Sequence, residues 1–219
     1  VSDSTVQKGW YSRGYLPHCD EPGRLQAITY RLADSIPAQL IAEWPVLADK
    51  MTDQIRARYH VVLDEGRGSC ILRRPDVATI VQDSLLYRDG SHYHLLAWVI
   101  MPNHVHVVVE TVPGHPLWAV VRNWKAFSAH LINRLLETNV TFWARDYFRY
   151  IRNEEHLERA IAYAELNPAK AGLVDTPEKW PFGSAYWRIH HIRGQAWSAS
   201  KSLAQSVGQK PALGVRAMI

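Results

Sequence analysis

Cysteine is almost absent from this chain: among 219 residues only Cys19 and Cys70 carry a thiol. Two thiols so far apart support neither a disulfide framework nor a cysteine-rich zinc site. Long apolar runs are missing too, and no segment approaches the roughly 20 residues needed to cross a bilayer. No stretch reads as a leader peptide, and no internal repeat is visible. The expectation from these absences is a reducing, cytoplasmic setting with no membrane partner.

What is present points elsewhere. The formal charge is +4 with a pI near 9.1, a mild basic excess that suits a nucleic-acid partner without requiring one. Nine tryptophans and ten tyrosines form a large aromatic load. In a basic protein some can stack on unpaired bases, while most belong to the core. The length fits one domain with additions.

Residues 1–24 are polar and turn-rich, and read as an N-terminal arm in which Arg13 and Tyr15 are candidate DNA contacts. Residues 26–32 (QAITYRL) alternate as a strand. Asp34 or Ser35 is the expected cap of a helix with Pro37 in its first turn, broken near Pro45 and continuing to about Leu63. A glycine-bearing loop, DEGRGS, follows, and Pro75 opens another helix that stops at Asp89-Gly90. Residues 117–137 form a long amphipathic helix whose apolar positions recur by threes and fours, leaving Arg122 and Lys125 outside the stripe as further candidate DNA contacts. Residues 142–151 (FWARDYFRYI) are an aromatic, basic short strand or loop in which Arg149 is another candidate DNA contact. Asn153 caps a last long helix, expected to kink or restart at Asn167-Pro168.

The central stretch is 97–110, AWVIMPNHVHVVVE: a strand, a bend at Pro102-Asn103, and a second strand. Alternation puts His104 and His106 on one face, about 7 Å apart at Cα, with Val105, Val107 and Val109 on the other. Two imidazoles side by side on a rigid strand are half of a divalent-metal site. Setting one helix and the 64–74 loop aside leaves β-α-β-β-α-β. That order predicts an α+β, ferredoxin-like antiparallel sheet with helices packed on one face.

Tyr163 and Asn167 stand at i and i+4 on the last helix and share a face. If that face meets the histidine strand, three metal-capable groups and one phenol converge, a set suited to phosphoryl transfer with tyrosine as nucleophile. Spacing alone does not choose among Tyr147, Tyr150 and Tyr163. The donor set favours Mg²⁺ or Mn²⁺, although imidazole also accepts zinc, nickel or cobalt.

Six pieces in fixed order resemble the REP-associated tyrosine transposases, members of the single-tyrosine HUH superfamily that includes transposases of small bacterial insertion sequences. They are WYSRGYLPH (10–18), TYRLADSIPA (29–38), AWVIMPNHVHVVV (97–109), WKAF (124–127), FWARDYFRYIRNEEH (142–156) and AYAELNPAKAGLV (162–174). The resemblance implies a metal held by His104 and His106 and completed by Asn167, with Tyr163 as nucleophile. It also implies cleavage of single-stranded DNA beside palindromic hairpins, through a 5′-phosphotyrosine and a released 3′ hydroxyl. Many relatives carry Ile where this chain has Ala164. The expected organisation is one transposase domain over 1–187, with the arm at 1–24, an insertion at about 64–90, and a tail over 188–219. The protein is expected near the nucleoid, as a monomer or homodimer. Two rival readings remain: a hairpin-binding protein that does not cleave, and a metal-dependent nuclease that uses activated water.

Overall fold

The structure, a computed structural model, describes residues 10–12, 17–19, 23–43, 53–151 and 153–190. Strands β1 (Trp10–Ser12) and β2 (Pro17–Cys19) pair as a short antiparallel ribbon. The main sheet contains β3 (Leu25–Leu32), β4 (Tyr93–Ile100), β5 (His104–Thr111) and β6 (Trp143–Ile151). Their order is β4-β5-β3-β6, antiparallel throughout, as a ferredoxin-like chain path requires. The aromatic segment at 142–151, ambiguous in sequence, is thus a full strand.

Alternation along these strands divides the molecule. Ile28, Tyr30 and Leu32 join Val105, Val107 and Val109 on one face of the sheet. Helices α3 (Pro75–Leu86) and α4 (Leu117–Leu135) cover this face. Val77, Val81 and Leu85 from α3, and Val121, Trp124 and Ile132 from α4, are all buried there. Fully burying one such side chain contributes about 1.5–3 kcal/mol, and Leu85→Ala would cost about 2–5 kcal/mol. A hydrogen-bonded relay fixes the packing: Trp124 Nε1 donates to Tyr93 Oη at 2.8 Å, and that hydroxyl donates to the Leu85 carbonyl at 2.8 Å. Trp143 Nε1 donates to Ser128 Oγ at 2.9 Å, tying β6 to α4.

The other face carries Thr29, Val99, His104 and His106. Over it lie α2 (Asp53–Asp64), which follows α1 (Ala38–Glu43), and α5 (Glu154–Lys170). The crossover helices therefore share one face as expected, and a second pair of helices covers the histidines. Helix α3 lies inside the stretch 64–90 expected as an insertion, yet its apolar stripe belongs to the main core. The additional helix is α2, whose Tyr59 and Leu63 make a small separate cluster with Ile36. Loop charges and glycines suggested an excursion; the burial of α3 shows that they mark only a connection.

The outer edge of β4 is covered by the segment leading into α6 (Ser184–His190). Ile100 N donates to the Phe182 carbonyl at 2.8 Å, Trp180 Nε1 donates to the Ile100 carbonyl at 3.0 Å, and Arg188 pairs with Glu165 of α5. Satisfied in this way, the edge is closed to further strand pairing. No described helix is long and apolar enough to cross a membrane.

Candidate active site

Strand β5 has both edges paired, between β3 and β4, and helices over both faces of the sheet, so residues 104 to 109 are all buried. A histidine in such a strand keeps its polar atoms only if they are hydrogen-bonded or ligated. The Asn103 amide donates from Nδ2 to the Arg67 carbonyl at 3.0 Å, which turns its Oδ1 toward His104 Nδ1 at 2.7 Å. His104 therefore carries its proton on Nδ1 and presents a lone pair on Nε2. His106 Nδ1 lies 2.7 Å from Thr29 Oγ1, a hydroxyl that can serve either tautomer. Both rings are thus held from behind, the arrangement seen behind metal-binding imidazoles.

In front, His104 Nε2 and His106 Nε2 are 3.0 Å apart. Two nitrogens each about 2.1 Å from one ion, at a right angle, would be separated by about 3.0 Å. Burial lowers both histidines below their usual range, His104 to about 3, with the neighbouring imidazoles adding to the effect. Both are neutral across the physiological range, the form in which imidazole binds metal.

Helix α5 brings the next two groups. Asn153 accepts from His156 N at its start, and Glu154 and Glu155 occupy the positive end of its dipole. The expected restart at Asn167 does not occur: the helix is continuous through Pro168 to Lys170. Pro168 falls in the last turn, where its missing N–H removes one bond from a helix about to end. Gly172, at φ 68°, closes a Schellman motif, with Leu173 N bonding Pro168 O and Gly172 N bonding Ala169 O. On the inward side Ala164 is 1% exposed and packs against Val99 and Met101, which allows the helix to lie close to β4.

The result places Asn167 Nδ2 3.3 Å from His106 Nε2, while Asn167 Oδ1 is buried and accepts no hydrogen bond. A buried carbonyl-type oxygen without a donor beside the two imidazoles fits a cation ligand. One turn earlier, the Tyr163 ring centroid is 5.2 Å from that of His106, and Lys170 Nζ lies 5.5 Å from the Tyr163 ring centre.

The sequence reading missed Asp64. At the end of α2, its Oδ1 is 3.6 Å from His104 Nε2, and ligand atoms of Asp64, His104 and His106 all lie within 4.8 Å of one another. Burial raises its carboxyl to about 6, opposed by a hydrogen bond from Asn167 and the charge of Lys170. His60, one helical turn before it, has its ring 5.4 Å from both His106 and Tyr163. The spacing His60-x-x-x-Asp64 was the available signal, because i and i+4 share a helix face. Around this carboxylate the chain is pinned: Ser69 N donates to Asp34 Oδ2 at 2.7 Å, and a Cβ on Gly68 (φ +84°) would meet the Asp34 carbonyl oxygen at 2.6 Å. Asp34, expected to cap a helix, thus holds the loop instead, and α1 begins only at Ala38.

Among the candidate DNA contacts, only Arg122 and Lys125 have described side chains. Arg13 and Tyr15 lie outside the described residues. Arg149 stands in β6 opposite Ile28, and only its backbone is described. Arg122 and Lys125 are on α4, across the sheet from the histidines. The Arg122 guanidinium lies 5.0 Å from the Trp118 ring centre, and Lys125 Nζ donates to the Ala144 carbonyl.

The sequence profile of the family described as "Transposase IS200 like" matches residues 54–167, which carry Asp64, both strand histidines, Tyr163 and Asn167 and make up more than half of the 219 residues. The chain belongs to the IS200-like transposases, a family that processes DNA. A solved structure of a REP-associated tyrosine transposase bound to a REP hairpin shares the fold at 15% identity, with a TM-score of 0.50 over 95% of this chain and 98% of that one. A proposed transposase from Deinococcus radiodurans matches at 16% identity over 72% of this chain and 96% of that chain, with a TM-score of 0.35. No curated protein sequence matches the chain.

Proposed function

We propose that this protein is a REP-type tyrosine transposase that cleaves and rejoins single-stranded DNA beside palindromic hairpins. The observation that carries the reading is the meeting of Tyr163 with a buried His104–His106 pair, Asp64 and Asn167 at one point of the fold. The hairpin partner is supported by the family membership and by the fold shared with a transposase whose solved structure holds a REP hairpin.

His104, His106, Asp64 and the amide oxygen of Asn167 would hold a divalent ion, Mg²⁺ or Mn²⁺. Bound there, such an ion supplies positive charge to the oxygens of the scissile phosphate. The chain's own residues do the rest. Helix α5 fixes the Tyr163 phenol, whose oxygen attacks phosphorus; an O–P bond to tyrosine forms as the P–O3′ bond breaks. The phenolic proton passes through solvent to the released 3′ oxygen, leaving a 5′-phosphotyrosine and a 3′ hydroxyl. Lys170, beside the phenol, offsets negative charge as it develops on the tyrosine oxygen. We assign this activity to a domain over 1–187 with 188–219 as its tail, acting on cytoplasmic, nucleoid DNA.

The test is a denaturing gel of end-labelled hairpin DNA with unpaired flanks. A protein–DNA adduct that requires metal and is lost in His104→Ala and His106→Ala supports the proposal. Free ends without an adduct would assign the protein to water-activated nucleases, and binding without cleavage to hairpin-binding proteins.

A further inference from the structure

Tyr87, the C-cap of α3, and Phe127, midway along α4, are out of place as surface residues: they are 79% and 51% exposed. Between them opens a cleft of about 400 Å³ on the side of the sheet opposite the histidines. Its volume lies in the range of pockets that hold ring-bearing small ligands. The floor is rigid, because Tyr93 and Trp124 meet edge to face at 5.0 Å and are joined by the indole-to-hydroxyl hydrogen bond.

The rim is cationic. The Arg88 guanidinium lies 5.4 Å from the Tyr87 ring centre and bonds His92 Nε2, which fixes its position while leaving other N–H donors free to meet an anion. His92 in turn stacks on His115 at 3.8 Å. No Asp or Glu lines the cleft, and the whole of α4 (LWAVVRNWKAFSAHLINRL) contains none. Asn123 adds an amide at the wall, a group able to read the hydrogen-bonding edge of a base. Two exposed aromatic faces, a fixed guanidinium, an amide and no anion match one ligand chemistry: a flat heteroaromatic ring attached to a phosphate. An apolar peptide segment would use the rings and leave Arg88 and Asn123 without a purpose.

We infer that the α3–α4 cleft is a nucleotide-binding subsite. It takes one unpaired base of the DNA substrate between Tyr87 and Phe127 and the adjoining phosphate on Arg88. The inference rests on the reading of the protein as acting on DNA with unpaired nucleotides. It adds a second point of attachment, across the sheet from Tyr163, through which a hairpin could be held while its flank reaches the nucleophile.

The experiment uses the full chain and a DNA hairpin with a mismatched stem and unpaired flanks, in which each base in turn is made abasic. Wild-type affinity, from fluorescence anisotropy, should fall by about tenfold or more at one unpaired position. The Tyr87→Ala/Phe127→Ala variant should bind the intact hairpin about ten- to hundredfold more weakly and be indifferent to that same abasic position. Arg88→Gln should weaken binding and flatten its salt dependence. Both aromatics are largely exposed, so the variants should fold, as circular dichroism will verify; Arg88→Gln alone keeps the test valid if the double variant does not. Wild-type affinity in these variants overturns the inference. So does an abasic penalty that persists in them, or a change in sedimentation showing that the cleft joins two copies of the chain. The adduct at Tyr163 in wild type is scored separately: its absence would reject the transposase mechanism, whereas an adduct with an unresponsive cleft would reject only this subsite.

Discussion

Asn103 fixes the chemistry of His104 from the turn that precedes it, because a single amide spans the Arg67 carbonyl and the imidazole Nδ1. Residues in this position usually alter metal affinity about 10- to 100-fold when removed. Asn103→Ala should therefore weaken Mn²⁺ binding by that factor with the ligand set intact, as followed by calorimetric titration. The loss of a buried hydrogen bond should also cost about 1–3 kcal/mol of stability. Unchanged Mn²⁺ affinity would show that the tautomer is held by something else.

Metal binding should depend on pH through Asp64 rather than through the histidines. Its carboxyl is raised to about 6, whereas His104 is lowered to about 3 and His106 is also lowered. Ligation needs the carboxylate, so protons and metal compete at Asp64 below pH 6. Affinity should be flat above that point and fall about tenfold for each pH unit below it. Asp64→Asn should bind more weakly and lose the dependence between pH 6 and pH 4. A wild-type curve that stays flat down to pH 4 would remove Asp64 from the ligand set.

The histidine strand, the ferredoxin-like order and the pairing of Tyr163 with Asn167 were legible because each depends on local periodicity: two on a strand, and a single turn on a helix. Asp64 was not, because its role depends on α2 crossing the sheet on the histidine side, a relationship of tertiary placement. The same holds for α3, whose glycine-rich approach resembles an insertion until its burial against α4 is known. Lys125 carries a contact that spacing did not show, because its ammonium donates to the backbone carbonyl of Ala144. The end of α5 follows from Gly172, which supplies a positive φ just where the helix must stop.

Ala164 should be sensitive to size. It is buried against Val99 and Met101, and its methyl sets the distance from α5 to β4. Ala164→Ile adds volume to a closed contact and should cost about 1–3 kcal/mol. For a chain of this length that is roughly 2–4 °C of melting temperature per kcal/mol. The shift in α5 should also displace Tyr163 and Asn167, lowering adduct yield. A variant as stable as wild type in a thermal melt would show that this contact has slack.

The choice of nucleophile is the sharpest test. Tyr147 and Tyr150 lie in β6, paired at Cα with Tyr30 and Ala27, and only their backbone is described. Tyr163 instead has His106 and His60 against its ring and Asn167 one turn on, in a helix capped at both ends. A nucleophile held on such an element stays within reach of one phosphate. Tyr163→Phe removes only the hydroxyl, so fold and hairpin binding should be retained while the covalent species disappears. Tyr147→Phe and Tyr150→Phe should still form it. Mass spectrometry of the peptide linked to DNA will identify the residue, and a phosphotyrosine recovered at position 147 or 150 would place the chemistry on β6 instead of α5.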